Sequence, residues 1–340
     1  MSEISHNRNY GIDLARVLSM LMVVILHNLL NGGVLSLSST GGNNLFFWFI
    51  ENLTIVAVNM FAMITGYLMI NRKFHLKKIF GLWIVVWFWS VVTSLVTMLV
   101  LHAFEIKYMV KSIFPVVFGQ YWYFNAYLVL FLLIPFLNAG FNLIDRDLKN
   151  KLVAGLLILF VTVGFINNLF LEKGYSALWL LMMYLIGGTI KQNDTKIIFN
   201  SSVWLWTIYI LGAVISLVGE YLSIVKFGHV EYWINYNSPI VATQSISLFL
   251  ALSKLNIKAE FARNFLKKIA PFTFAVYLID ANPYFFNHII YQNFSFIRNL
   301  NIVSGTFSLL GCSVAMFSIF IMLDFFRIKL FNLVLNFKNR

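Results

Sequence analysis

Arg16 and His27 stand on one apolar segment with ten residues between them. Ionisable side chains inside a membrane-length apolar run are costly, so their presence points to a function. On a helix, eleven steps of about 100° return to within about 20° of the starting direction, with a rise of about 16 Å. Both side chains therefore project from one face, Arg16 near the end of the span and His27 near its middle. A guanidinium can clamp a phosphate or a carboxylate. An imidazole can take a proton from a hydroxyl near neutral pH, or carry an acyl group on its ring. Each residue also has a structural reading. Arg16 can anchor in the headgroups and pair with Asp13, three residues earlier, and His27 can pack by a hydrogen bond to a neighbouring helix.

Other residues widen the candidate site. The densest short basic cluster holds Arg72, Lys73, Lys77 and Lys78. It suits the phosphates of a nucleotide-like cofactor or the headgroups of anionic lipid. A later apolar run opens with Gln120, Tyr121, Trp122 and Tyr123. Such aromatics form either an interfacial belt or a stacking platform for a sugar, with Gln120 and Asn125 as hydroxyl partners. Glu51, Glu220 and Asp280 lie in or beside apolar runs. Each is expected to pair with a basic neighbour or face water, and Asp280, near Tyr277, can orient another group. The chain has no Gly-rich phosphate loop and no His, Cys, Asp or Glu set with metal-ligand spacing, so neither an ATPase nor a metal site is expected. Cys312 reads as a packed thiol.

The elements that must position these groups are membrane helices. Of 340 residues, 60% are hydrophobic and 11% charged, and mean hydropathy is +0.81. A soluble domain carries about 25% charged residues, so the expectation is an all-α polytopic membrane protein. Ten apolar runs cover 11–31, 46–70, 79–102, 121–141, 151–170, 176–190, 203–225, 236–254, 270–290 and 301–326. The first is long and lacks a small-residue cleavage site, so it reads as a first span and not a cleaved signal. With the N-terminus in the cytoplasm, 20 of the 25 Lys and Arg fall on the cytoplasmic side. One span more or fewer would erase that asymmetry, so ten helices with both termini cytoplasmic are expected. The net charge of +12 then follows from topology, with lipid and not nucleic acid as the partner. No internal repeat or soluble domain is evident, and 1–340 reads as a single integral-membrane domain.

Several stretches together resemble the acyltransferase-3 family, bacterial integral-membrane enzymes that acylate cell-surface glycans. Arg16, ten residues and His27 match that family's first-span motif, and Asn9-Tyr10-Gly11-Ile12-Asp13-Leu14 is similar to its usual opening. Phe61-Ala62-Met63-Ile64-Thr65-Gly66-Tyr67-Leu68, followed by Arg72, resembles the end of its second span. Tyr121-Trp122-Tyr123 through Leu133-Ile134-Pro135-Phe136-Leu137 resembles a middle span, and Thr273-Phe274-Ala275-Val276-Tyr277-Leu278-Ile279 a late one. Asp280 stands where the late segment often has His, Ala275 where it often has Gly, and Gln120 and Tyr121 where the middle span often opens with His. These departures leave His27 as the main titratable candidate.

The resemblance implies O-acyl transfer at the bacterial cytoplasmic membrane. The donor would be acetyl-CoA from the cytosol, as a co-substrate, with no metal. The acceptor would be a sugar hydroxyl of a capsular, exopolysaccharide or lipid-linked glycan. Arg16, Arg72 and Lys73 would hold the CoA end, and His27 would act as general base or acyl carrier. Thr65, Tyr67 and Trp122 would line the path, and Trp122, Tyr123 and Gln120 would meet the acceptor. Two readings compete with this one: a polysaccharide exporter or proton-coupled transporter using the same His and Arg, and an assembly subunit without chemistry. The transporter reading lacks a matched pair of broken spans in two inverted halves.

Overall fold

The computed structural model describes residues 8–36, 39–193, 201–228 and 233–338, with side chains as far as 332. Lys196 and Arg340, counted above among the cytoplasmic cations, lie outside the described residues, as does the side chain of Lys338.

The described residues form helices and no strand. In chain order these are α1 (Tyr10–Leu30), α2 (Gly42–Thr54), α3 (Ala57–Met69), α4 (Lys77–Val100), α5 (Ile106–Ile113), α6 (Trp122–Leu143) and α7 (Arg146–Asn167). They continue with α8 (Ala177–Gln192), α9 (Ser202–Phe227), α10 (Pro239–Ser253), α11 (Glu260–Ile269), α12 (Thr273–Asp280), α13 (Pro283–Phe285) and α14 (Ile302–Lys338). Among the described residues, seven stretches are long and apolar enough to cross a membrane: α1, α2 with α3, α4, α6, α7, α9, and Ile302–Asn332 of α14. The other three apolar runs become shorter pieces. Run 176–190 is the 16-residue α8, and 236–254 is the 15-residue α10, which starts at Pro239. Run 270–290 is broken into α12, α13 and a π-turn over Phe286–Ile290.

Local chemistry explains the start of α1. The Asn9 side chain accepts from the N–H groups of Gly11 and Ile12, and Asp13 places negative charge in the first turn. Asn9 Nδ2 also donates to Ser253 O at 2.8 Å, which docks the start of α1 on the end of α10. The local pair expected for Asp13 is different from the one observed: Arg8 Nε takes its Oδ2 at 2.6 Å. That pairing leaves Arg16 to point elsewhere.

α3 and α8 make the tightest crossing. A Cβ on Gly66 would lie 1.9 Å from Tyr184 O, and one on Gly187 would lie 2.0 Å from Met63 O. Backbone approach this close needs glycine on both sides, as in membrane helices that associate by close packing. Asn138 of α6 bolts the pair from outside, donating to Met69 O at 2.9 Å and accepting from Tyr184 Oη at 2.6 Å. Gly66→Ala or Gly187→Ala is therefore expected to destabilise the protein by about 1–3 kcal/mol through overpacking. Thermal unfolding of the purified protein in detergent tests this, and an unchanged midpoint would contradict the close crossing.

Candidate functional site

Two interruptions shape the centre of the bundle. The first divides α2 from α3 and brings Ile55 and Val58 to the wall of a central cavity. The second follows α12. Pro283 has no N–H to continue the helix, and Asn282 caps the new turn by accepting from the N–H groups of Tyr284 and Phe285. The Asn282 amide also donates to Ser90 O at 3.1 Å, which fixes the break against α4. The last residue before the break is Asp280, fully buried at the C-terminal end of α12. A carboxylate there opposes the helix dipole, so it needs a partner.

That partner is His27. Its Nδ1 lies 2.6 Å from Asp280 Oδ2, across a sequence separation of 253 residues. Phe286, just past the break, sets its ring edge-on to the imidazole at 5.0 Å. An ionised carboxylate accepts the Nδ1 proton, so Nε2 is left as the basic nitrogen. His27 also lines the cavity, which has a volume of about 770 Å³.

Arg16 lines the same cavity, as the one-face spacing requires. Among the described residues its guanidinium makes no hydrogen bond or ion pair, so its donors are available to an anion. Thr65 and Tyr127 line the wall beside it. Trp122 and Tyr123 line the cavity too. Four expected residues do not. Arg72 and Lys73 are exposed beyond the end of α3, Arg72 near enough to Arg16 for the two charges to interact. Gln120 lies in the turn before α6, outside the wall. Tyr67, expected along the path, instead packs on Phe249, with ring centroids 5.8 Å apart.

Several lining residues escaped the sequence reading: Tyr175 falls between two apolar runs, and Tyr236 stands at the first position of the run 236–254, ahead of the start of α10. Tyr175 and Tyr236 join Trp122 in an aromatic cluster, with centroids 4.6 Å (Trp122–Tyr175), 4.8 Å (Tyr175–Tyr236) and 6.1 Å (Trp122–Tyr236) apart. The loops are pinned together by the Tyr236 N–H, which donates to Lys173 O at 3.0 Å. Gly174 sits at φ +94°, and a Cβ there would meet Tyr236 Cβ at 2.5 Å. Asn235 and Asn287 add polar groups to the wall. Asp280 was legible as a buried acid that could orient another group, but not as the partner of His27.

This geometry fixes a tautomer. In ¹⁵N-histidine NMR spectra of the detergent-solubilised protein, the neutral form of the His27 ring is expected to carry its proton on Nδ1 and none on Nε2. Asp280→Asn is expected to disturb that state. A wild-type ring that populates both tautomers equally would contradict the pairing.

A cavity joins a basic imidazole, oriented by a buried carboxylate, to a guanidinium that has no hydrogen-bond or ion-pair partner among the described residues, about 16 Å of helix away. That layout suits chemistry on a substrate with an anionic end. No curated protein and no solved structure matches the chain. A family model described as an acyltransferase domain matches residues 9–323, which include every residue of this cavity. The chain belongs to the acyltransferase-3 family of membrane acyltransferases.

Proposed function

We propose that the chain is an O-acetyltransferase of the bacterial cytoplasmic membrane. It takes the acyl group from cytosolic acetyl-CoA and transfers it to a sugar hydroxyl of a capsular, exopolysaccharide or lipid-linked glycan. On this reading the chain crosses the membrane ten times as one domain. The seven long spans are joined by α8, by α10 and by the broken α12–α13 segment, and both termini are cytoplasmic. The observation that carries the proposal is the His27–Asp280 pair facing a cavity shared with Arg16.

The chemistry follows from the ring geometry. Nε2 of His27 removes the proton of the acceptor hydroxyl as its oxygen attacks the thioester carbonyl. The C–O bond forms, the C–S bond breaks, and the departing thiolate takes the proton back from the imidazolium. Asp280 holds the ring in the productive tautomer and stabilises the imidazolium while it exists. The C-terminal ends of α1 and α12, both close to this ring, also favour a transient positive charge. Arg16 pairs with an anionic part of the donor, and Arg72 and Lys73 meet phosphates outside the cavity. Trp122 and Tyr123, with Tyr175 and Tyr236, offer ring faces and hydroxyls to the acceptor sugar.

The test is mass spectrometry of the surface glycan from a deletion strain complemented at matched protein levels. With wild type the glycan carries an acetyl mass. With His27→Ala the mass is absent while polymer is still exported. Identical acylation in both strains would remove His27 from the chemistry, and loss of exported polymer would favour the exporter reading. In an assay with purified protein, Asp280→Asn is expected to lower kcat by about 10²–10⁴-fold, the range of a general base. Arg16→Lys is expected to raise KM for the donor more than it lowers kcat. The reverse pattern would place Arg16 in the chemical step.

A further inference from the structure

A second buried polar cluster lies outside the cavity wall, where α2 meets α9 and α10. Glu51 of α2 is 0% exposed and Glu220 of α9 is 1% exposed. The two carboxyl groups are close enough to feel one another's charge. The sequence suggested that each would find a basic partner or face water, and among the described residues neither does. Among the described residues, both oxygens of Glu51 and Oε1 of Glu220 have no hydrogen-bond partner. Glu220 Oε2 accepts from Asn52 Nδ2 at 2.7 Å.

The neighbouring side chains have the same deficit, and it is mostly a deficit on oxygen. Asn52 spends its amide nitrogen on Trp48 O and Glu220, and its Oδ1 is buried and unpartnered. Gln244 of α10 spends its amide nitrogen on Asn52 O at 3.2 Å and Tyr209 O at 3.1 Å, and its Oε1 is buried and unpartnered. Ser216 stands one turn before Glu220 on α9, fully buried, with a free Oγ. Gly212, one further turn back, lets the Gln244 side chain lie against α9: a Cβ there would meet Gln244 Cγ at 2.2 Å.

Buried acceptors without donors are rare in folded proteins and call for an explanation. Here six such oxygens come from three helices, two of them on one carboxylate. Side-chain oxygens from carboxylate, amide and hydroxyl groups are the ligands that hard cations select. We propose that α2, α9 and α10 enclose a buried site for a hard cation, held through Glu51, Glu220, Asn52, Gln244 and Ser216. The cation neutralises two acids in a region where unpaired charge is costly, and it braces α2, whose end forms part of the cavity wall. Among the described residues no three His, Cys, Asp or Glu side chains converge. The site is legible only because amide and hydroxyl oxygens complete it. It does not rest on the acyl-transfer reading, since none of these five residues lines the cavity.

The test uses the full-length protein in detergent, stripped with chelator in choline chloride. Thermal unfolding is followed against NaCl, KCl and CaCl₂ at constant ionic strength. One cation is expected to raise the midpoint saturably by at least about 2 °C, as mass action on the folded state requires. The Na⁺ and Ca²⁺ arms distinguish a monovalent from a divalent occupant. Glu51→Gln and Glu220→Gln are each expected to weaken the apparent affinity by at least about tenfold, and Ser216→Ala by less. If the variants fail to fold, equilibrium binding of ²²Na⁺ or ⁴⁵Ca²⁺ to wild type is expected to saturate at one ion per chain. Identical curves in every salt, an unaltered response in the variants, or no saturable isotope binding would overturn the proposal. A Glu51→Gln/Glu220→Gln double variant as stable as wild type in choline, with no cation response in wild type, would show that the pair is simply protonated.

Discussion

The candidate site depends on the short contact between His27 and Asp280. It joins the first long helix of the chain to a helix near its end, and it does so where both helices stop. A carboxylate at a helix C-terminus and inside an apolar bundle is doubly unfavourable unless a proton donor meets it. The imidazole supplies that donor, and in return the ring loses its rotational freedom and its tautomeric ambiguity. The break after Asp280 is what allows the contact. If α12 ran on as a regular helix, Phe286 and Asn287 would not turn towards the same cavity.

The other breaks and close approaches serve this centre. The glycine crossing of α3 and α8 fixes the bundle core, and Asn138 locks α6 to it. α6 in turn carries Trp122, Tyr123 and Tyr127 into the cavity wall. The α2–α3 interruption adds Ile55 and Val58 to the wall. In a bilayer no water satisfies broken backbone, so irregular segments persist where they face a cavity or are bonded by side chains. Asn282 and its bonds to α4 illustrate the second condition.

The readable part of the site was its local part. Two residues on one helix face follow from the helical repeat, and the structure puts Arg16 and His27 on one cavity, with His27 in the last turn of α1 and not midway along it as expected. The broken late segment was encoded in Asn282 and Pro283, though a run of apolar residues hid it. Contacts distant in sequence were not readable. Nothing near His27 names Asp280 as its partner, and nothing in the loops marks Tyr175 and Tyr236 as companions of Trp122. Asp13 shows the limit of local rules: its spacing suits Arg16, but the capping geometry of Asn9 turns Arg8 towards it. Glu51 and Glu220 show another limit: each was expected to meet a basic neighbour or water, and packing among the described residues buries both without either.

The most direct measurement of the central claim is a two-sided transfer assay. The protein is reconstituted in sealed proteoliposomes with lipid-linked glycan confined to the lumen and [¹⁴C]acetyl-CoA added only outside. The account predicts label on lumenal glycan and CoA left outside, with transfer abolished by His27→Ala and strongly slowed by Asp280→Asn. Transfer only after detergent opens the vesicles, or equal transfer by wild type and His27→Ala, would contradict it.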